Sequence, residues 1–201
     1  MRALTLALFT LMCVYVSAQW KNNWDRPLNF QCPSTNSAIS HVVSMHNNKK
    51  EDRRFNFNCR PVQAVSGPIS CKLSGYVNSY DQPVLYTCPN GGYLNGVSSV
   101  HNNKKEDRKF RFRCCTPKPG YHHKNCKWTG WVNNWDETFS YFVPRNYVIR
   151  GINSIHNNKK EISKLRVGEI RTYEYTRDGI WCPGEVSIPC GPLIIVMNPI
   201  S

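Results

Sequence analysis

The sequence predicts an all-β protein made of three copies of one unit and stapled by disulfides. Three observations predict it. A charged string recurs at an even offset, apolar residues alternate with polar ones at period two, and cysteines follow an apolar leader. The composition is that of a folded chain: 201 residues, 40% hydrophobic, 12% aromatic, with a formal charge of +13. A chain of this size buries roughly 70% of its unfolded surface, enough for a real core.

Self-comparison finds the repeat. The strings are HNNKKEDRRFNFNC from His46, HNNKKEDRKFRFRC from His101 and HNNKKEISKLRVGE from His156, each 55 residues after the last. The first two agree at 11 of 14 positions. A second block lies upstream of each, Trp20 to Asp25, Tyr76 to Asp81 and Trp131 to Asp136, reading aromatic, any, Asn, any, aromatic, Asp. Units of about 19–74, 75–129 and 130–180 leave no room for a linker, and a tail, 181–201, follows. Residues 19–201 therefore read as a single domain with pseudo-threefold symmetry.

Each unit alternates. Phe55, Phe57 and Cys59 are interleaved with Arg54, Asn56 and Asn58; Phe110, Phe112 and Cys114 with Lys109, Arg111 and Arg113; Leu165 and Val167 with Lys164 and Arg166. Such alternation means half-buried strands with one wet face. Leu28 to Cys32 and Ile39 to Met45 supply further strands. Asn47, Asn48, Asn102 and Asn103 favour turns and tolerate positive φ, so each HNNKK stretch reads as a hairpin connection. Thirteen prolines and twelve glycines punctuate the rest, with no amphipathic helix. Three such units, about four strands each, close into a β-prism or, alternatively, a β-trefoil, and either protects strand edges. Cys88, Pro89, Asn90, Gly91, Gly92 and Tyr93, followed by Gly96 and a Phe-x-Phe-x-Cys strand, resemble the repeat of vitelline membrane outer layer proteins. That resemblance implies the prism.

Arg2, the apolar run Leu4 to Val16 and the small residue Ala18 form a secretory signal peptide over 1–18, with cleavage after Ala18. Cleavage removes Arg2 and Cys13, leaving a +12 chain with nine cysteines. No other apolar run reaches the ~18 residues of a membrane span. Nine cysteines in a secreted chain imply a disulfide framework and one odd thiol. By internal register Cys114 holds the place of Cys59, which pairs it with Cys88, and Cys126 closes with Cys182. That leaves Cys190 for a dimer crosslink. No C-x-x-C pair, P-loop, G-x-S-x-G or H-E-x-x-H is present, so no catalytic, metal or cofactor motif points to an enzyme.

Several residues carry a resemblance. They are Asn29 to Cys32, Asn48 to Arg53 with Phe55 and Phe57, Asp107 and Arg108 with Phe110 and Phe112, the Cys114, Cys115 doublet, and Tyr147 to Gly151. Over residues 20 to about 168 the chain resembles the dermatopontin family. The resemblance implies a secreted, non-catalytic extracellular-matrix protein that binds collagen, proteoglycans and cell surfaces; agglutinins and cytotoxin-like defence proteins are the alternative within the family. It also implies the pairs Cys32–Cys59, Cys71–Cys114 and Cys88–Cys115, and this pairing is the expectation adopted. The chain departs from the family in its basic charge, and in Ile162, Ser163 and Leu165 where the other units have Asp, Arg and Phe.

Candidate binding residues follow from charge. Lys104, Lys105, Arg108, Lys109, Arg111 and Arg113 gather on the wet side of one strand and its turn, a face that attracts sulfated or carboxylated polymers. Nucleic acid is discounted for a secreted chain. Asp52 with Arg53, and Asp107 with Arg108, read as ion pairs that fix their hairpins. His46, His101 and His156 read as strand-end residues on the periphery rather than three ligands of one metal. Trp20, Trp24, Tyr76, Tyr80, Trp131 and Trp135 read as core packing.

Overall fold

A computed structural model describes residues 19–62, 69–117, 124–157 and 162–171. Residues 1–18, read above as a signal peptide, and residues 172–201 with Cys182 and Cys190 lie outside them. The described chain is built of strands. In order they are β1 (Leu28–Gln31), β2 (Ser37–Asn47), β3 (Asp52–Pro61), β4 (Ser70–Leu73), β5 (Val84–Thr87), β6 (Tyr93–Asn102), β7 (Asp107–Thr116), β8 (Lys124–Trp128), β9 (Phe139–Phe142), β10 (Tyr147–Asn157) and β11 (Ile162–Arg171). Leu28 to Cys32 and Ile39 to Met45 thus fall in or beside the strands predicted for them.

Three long antiparallel hairpins, β2–β3, β6–β7 and β10–β11, each anchor a sheet. The orders are β3-β2-β9, β1-β6-β7-β4 and β5-β10-β11-β8. No hairpin takes its short edge strand from its own unit. β1 pairs with β6, β5 with β10, and β9 with β2, so every unit donates a strand to another. This exchange makes the core shared. Leu28, Ile39, Val42, Phe55, Phe57, Val84, Leu94, Val97, Phe112, Phe139 and Ile149 form one buried cluster drawn from all three sheets.

Each hairpin carries the same irregularity. The register slips between Ile39 and His41, Leu94 and Gly96, and Ile149 and Gly151. At two of these bulges the neighbouring edge strand comes very close. A Cβ on Gly96 would meet the Phe30 carbonyl at 2.7 Å, and one on Gly151 the Tyr86 carbonyl at 2.9 Å. Glycine there is what lets β1 and β5 lie against their hairpins.

The turns differ from expectation in mechanism. Asn47 Oδ1 accepts the N–H groups of Lys49 and Lys50 at 2.9 and 3.1 Å, and Asn102 those of Lys104 and Lys105 at 2.9 and 3.2 Å. The first Asn is an Asx-turn acceptor. Positive φ falls instead on Glu51 (44°) and Glu106 (51°).

The adopted disulfide pairing is corrected. Cys32–Cys59 stands, but the other bonds are Cys71–Cys115 and Cys88–Cys114. Adjacent residues of a strand point to opposite faces. Cys114 turns into the main core beside Cys88, whereas Cys115 turns to a second cluster and its register partner Cys71. Internal register had indicated Cys88–Cys114. Cys126 is also disulfide-bonded.

Candidate functional site

Two clusters of polar residues stand out, one buried among the hairpin ends and one on the outer face of β7.

The buried cluster comes from the phase of the strands. Arg53 and Arg108 are in step with the inward residues Phe55 and Phe110, so both guanidiniums turn inside. Arg108 forks onto Asp52 of the preceding hairpin: Nε to Oδ1 at 2.6 Å and Nη2 to Oδ2 at 2.7 Å. It also donates to Ser99 Oγ and to the Arg26 carbonyl, each at 3.0 Å. Arg53 donates to Ser44 Oγ at 3.3 Å and to the Glu137 carbonyl at 3.2 Å. The expectation of an ion pair within one hairpin is therefore corrected for Asp52 and Arg108, whose bridge joins two hairpins. Arg108 is also withdrawn from the polymer-binding face, because its side chain is 5% exposed.

The expectation of peripheral histidines is corrected for His46 and His101; the side chain of His156 lies outside the described residues. His46 Nε2 lies 3.1 Å from Asp136 Oδ1, and His101 Nδ1 lies 3.3 Å from Asp52 Oδ1, with side chains 5% and 1% exposed. They sit at strand ends as expected, but buried against carboxylates of other units rather than peripheral. Among the described residues no three potential ligands converge on a metal. Burial and then Arg53 lower the His46 pKa, against the opposing pull of Asp136 and Asp52. Burial alone would raise the Asp52 pKa, but His101 and Arg108 outweigh it and hold the carboxyl well below the usual range.

The upstream blocks lock onto this cluster. Asn22 donates to the Arg53 carbonyl at 3.0 Å and accepts the Phe55 N–H at 2.8 Å. Asn78 repeats both bonds with Arg108 and Phe110, each at 2.9 Å. The amide thus stands in for an extra strand. Asp25 and Asp81, at φ of 60° and 63°, donate their N–H groups to Asp52 and Asp107.

On the outside, Lys109, Arg111 and Arg113 face outward as the alternation predicted, and Lys104 and Lys105 are exposed in the turn. Trp20, Trp24, Tyr76 and Tyr80 of the blocks are not core packing. They clasp cations: Arg54 Cζ lies 4.8 and 4.5 Å from the Trp20 and Trp24 rings, and Lys109 Nζ lies 4.6 and 4.8 Å from Tyr76 and Tyr80. Arg111 Cζ stacks 4.1 Å from Tyr76, which is 42% exposed. Each contact is worth ~0.5–1 kcal/mol when exposed and holds a long side chain in one place. Arg113 bonds Asn95 Oδ1, and Lys105 pairs with Asp81 at 3.1 Å. Lys109, Arg111 and Lys104 are the more available cations of the set.

The fold and these clusters define a class: a disulfide-stapled, all-β protein whose units exchange strands, whose buried polar residues brace one hairpin against another and whose outer cations rest on aromatic rings. The pattern of one family, Dermatopontin, matches residues 22–169. The chain belongs to the dermatopontin family. It is 41% identical over 146 residues to the hemagglutinin/amebocyte aggregation factor of Limulus polyphemus, covering 72% of this chain and 83% of that protein. It is 32% identical over 146 residues to Millepora cytotoxin-1 of Millepora dichotoma, covering 73% and 64%. A dermatopontin of Biomphalaria glabrata is 41% identical over 90 residues, covering 45% and 58%. No solved structure matches.

Proposed function

We propose that the protein is a secreted, non-catalytic adhesion protein of the extracellular matrix, and that it binds sulfated glycosaminoglycan, proteoglycan or collagen and attaches them to cell surfaces. The observation that carries this reading is the outer face of β7, where Lys109 and Arg111 are braced on Tyr76 and Tyr80 beside the exposed Lys104. A cation held on an aromatic ring keeps its charge toward solvent while losing little further freedom on binding. A repeating anionic polymer meets several such cations at once, and the chain's overall +13 favours its approach. In this reading residues 1–18 are the signal peptide, 19–201 form a single domain, and the three strand-exchanging units close as a prism. Family membership supports the extracellular location.

The test is heparin-column elution of the folded mature chain. The double variant Lys109→Glu, Arg111→Glu is expected to elute at clearly lower salt, because exposed charges are screened within about 8–10 Å at physiological ionic strength. Unchanged elution would overturn the site.

A second reading, favoured by the 41% identity to the Limulus hemagglutinin/amebocyte aggregation factor, is a multivalent agglutinin. Clasps at Arg54 and at Lys109 are two copies of one arrangement on one chain. Linked sites raise avidity ~10²–10⁴-fold over one. A verified monomer that clumps cells, reversibly by soluble glycosaminoglycan, is the expected result for this reading.

A further inference from the structure

The outer faces of the first two long hairpins share one layout and differ in charge. Positions 54, 56 and 58 of β3 stand where 109, 111 and 113 stand on β7, one repeat later. On β7 these are Lys109, Arg111 and Arg113; on β3 they are Arg54, Asn56 and Asn58. Neutral amides thus replace two of the three cations. The cation that remains, Arg54, is held between Trp20 and Trp24.

The sheet β3-β2-β9 also departs from the other two at its bulge. There β6 and β10 carry Gly96 and Gly151, facing Gln31 and Thr87 of the donated strands. At the same place β2 carries His41, facing Phe142 of β9. The two rings stack, with centroids 3.7 Å apart and planes 8° from parallel. His41 Nε2 lies 2.8 Å from Ser140 Oγ, which fixes the imidazole. Phe142 is still 68% exposed, more than any other large apolar side chain among the described residues. One side of the phenyl ring rests on the imidazole, and the other is left to water.

Strand register sets these groups in rows. Phe142, His41 and Asn58 form one row across the sheet, and Ser140, Val43 and Asn56 the next. Neighbours in a row are about 4.8 Å apart, and the two rows about 6.7 Å. The Asn58 amide is exposed and makes no hydrogen bond among the described residues. Asn56 Oδ1 accepts the Phe57 N–H at 2.9 Å, so its own N–H groups can donate outward. Arg60, the cation nearest this end of β3, is tied to the Val143, Pro144 and Tyr147 carbonyls.

We propose that the outer face of β3-β2-β9 binds a neutral glycan, a β-linked chain of glucose or N-acetylglucosamine residues. Such a pyranose carries its hydroxyls around the ring edge and presents C–H groups on the ring's two faces. The C–H face covers the open side of Phe142. The hydroxyls meet Asn58, Asn56 and the Ser140–His41 pair, which between them offer donors and acceptors. A sulfated chain is drawn instead to the cationic face of β7. The two faces share no residue, so this site does not depend on the polyanion site.

Titration calorimetry of the mature protein with cellohexaose and with chitohexaose tests the face. At least one is expected to bind, with an affinity nearly constant between ~0.05 and ~0.5 M salt, because binding makes no charge pair. Phe142→Ala is expected to weaken binding at least ~10-fold. So is His41→Gly, which installs the residue of the other two sheets. Heparin-column elution of both variants is expected to match that of the parent, which separates loss of this site from loss of the fold or of the polyanion site. If His41→Gly does not fold, Asn58→Ala takes its place, with a several-fold loss expected. Absence of binding by both oligosaccharides up to about 10 mM, binding undiminished by Phe142→Ala and by the second variant, or binding that falls steeply with salt overturns the proposal.

Discussion

Arg108 and Asp52 belong to different hairpins, yet they meet in a two-bonded fork at 2.6 and 2.7 Å with side chains 5% and 1% exposed. A buried fork of this kind ties the second hairpin to the first where no backbone bond joins them. It also makes both residues hostages to each other, since neither charge tolerates burial alone.

Removing either partner should therefore destabilise strongly. Arg108→Ala or Asp52→Ala is expected to cost ~3–5 kcal/mol, because each strands the opposite charge. The double variant should cost much less than the two single costs added. Urea unfolding of the four proteins measures the coupling, and simple additivity would refute a direct pair.

Acid should weaken the fold in two stages. The His46 pKa is lowered from 6.5, first by burial and then by Arg53, so below pH 6.5 the unfolded chain binds the proton first and stability falls. The Asp52 pKa is held low, so its contribution is complete above the unfolded value of ~3.9 and is lost as pH falls below that. Unfolding free energy measured from pH 8 to pH 2 should show both declines. His46→Gln should flatten the first, and Asp52→Asn the second.

Much of this was legible in the residues themselves. Period two at Phe55, Phe57, Phe110 and Phe112 placed the strands, and Lys109, Arg111 and Arg113 on their wet side. The same period, carried two residues further back, puts Arg53 and Arg108 inside; charge alone had assigned Arg108 to the surface. Cys88–Cys114 was legible as the copy of Cys32–Cys59, and family likeness led away from it. The clasps of Trp20 and Trp24 on Arg54 were not legible. Their i, i+4 spacing suits packing equally well, and the cation arrives from a strand some thirty residues on. Strand exchange was hidden for the same reason: alternation places a strand's faces and says nothing of its neighbour.

The disulfide map is open to direct mapping. Partial reduction and alkylation should yield Cys71–Cys115 and Cys88–Cys114 as separate pairs. Replacing Cys88 and Cys114 together by Ala should cost ~2–5 kcal/mol, since the bond closes a chain separation of 26 residues. Recovery of Cys71–Cys114 would contradict the inward placement of Cys114.

The association state is expected to depend on the cysteines nearest the C-terminus. Cys126 is disulfide-bonded, and among mature cysteines only Cys182 and Cys190 lie outside the described residues. Cys71, Cys126 and Cys182 recur at intervals of 55 and 56, so Cys182 falls at the repeat position of the other two. Cys71 and Cys126 both pack on the second cluster, which Ala38, Tyr93 and Val148 of three different units form. A residue at the third such position would lie near the other two, and Cys126–Cys182 is the expected bond. Cys190 then remains with no cysteine in its own chain. A thiol in an oxidising compartment is readily captured, so a Cys190–Cys190 dimer or a mixed disulfide is expected. Non-reducing electrophoresis of the secreted protein should show a dimer that Cys190→Ser abolishes without unfolding the chain. A monomer whose Cys190 alkylates without reduction would refute the crosslink, and a mapped Cys126–Cys190 bond would move the free thiol to Cys182.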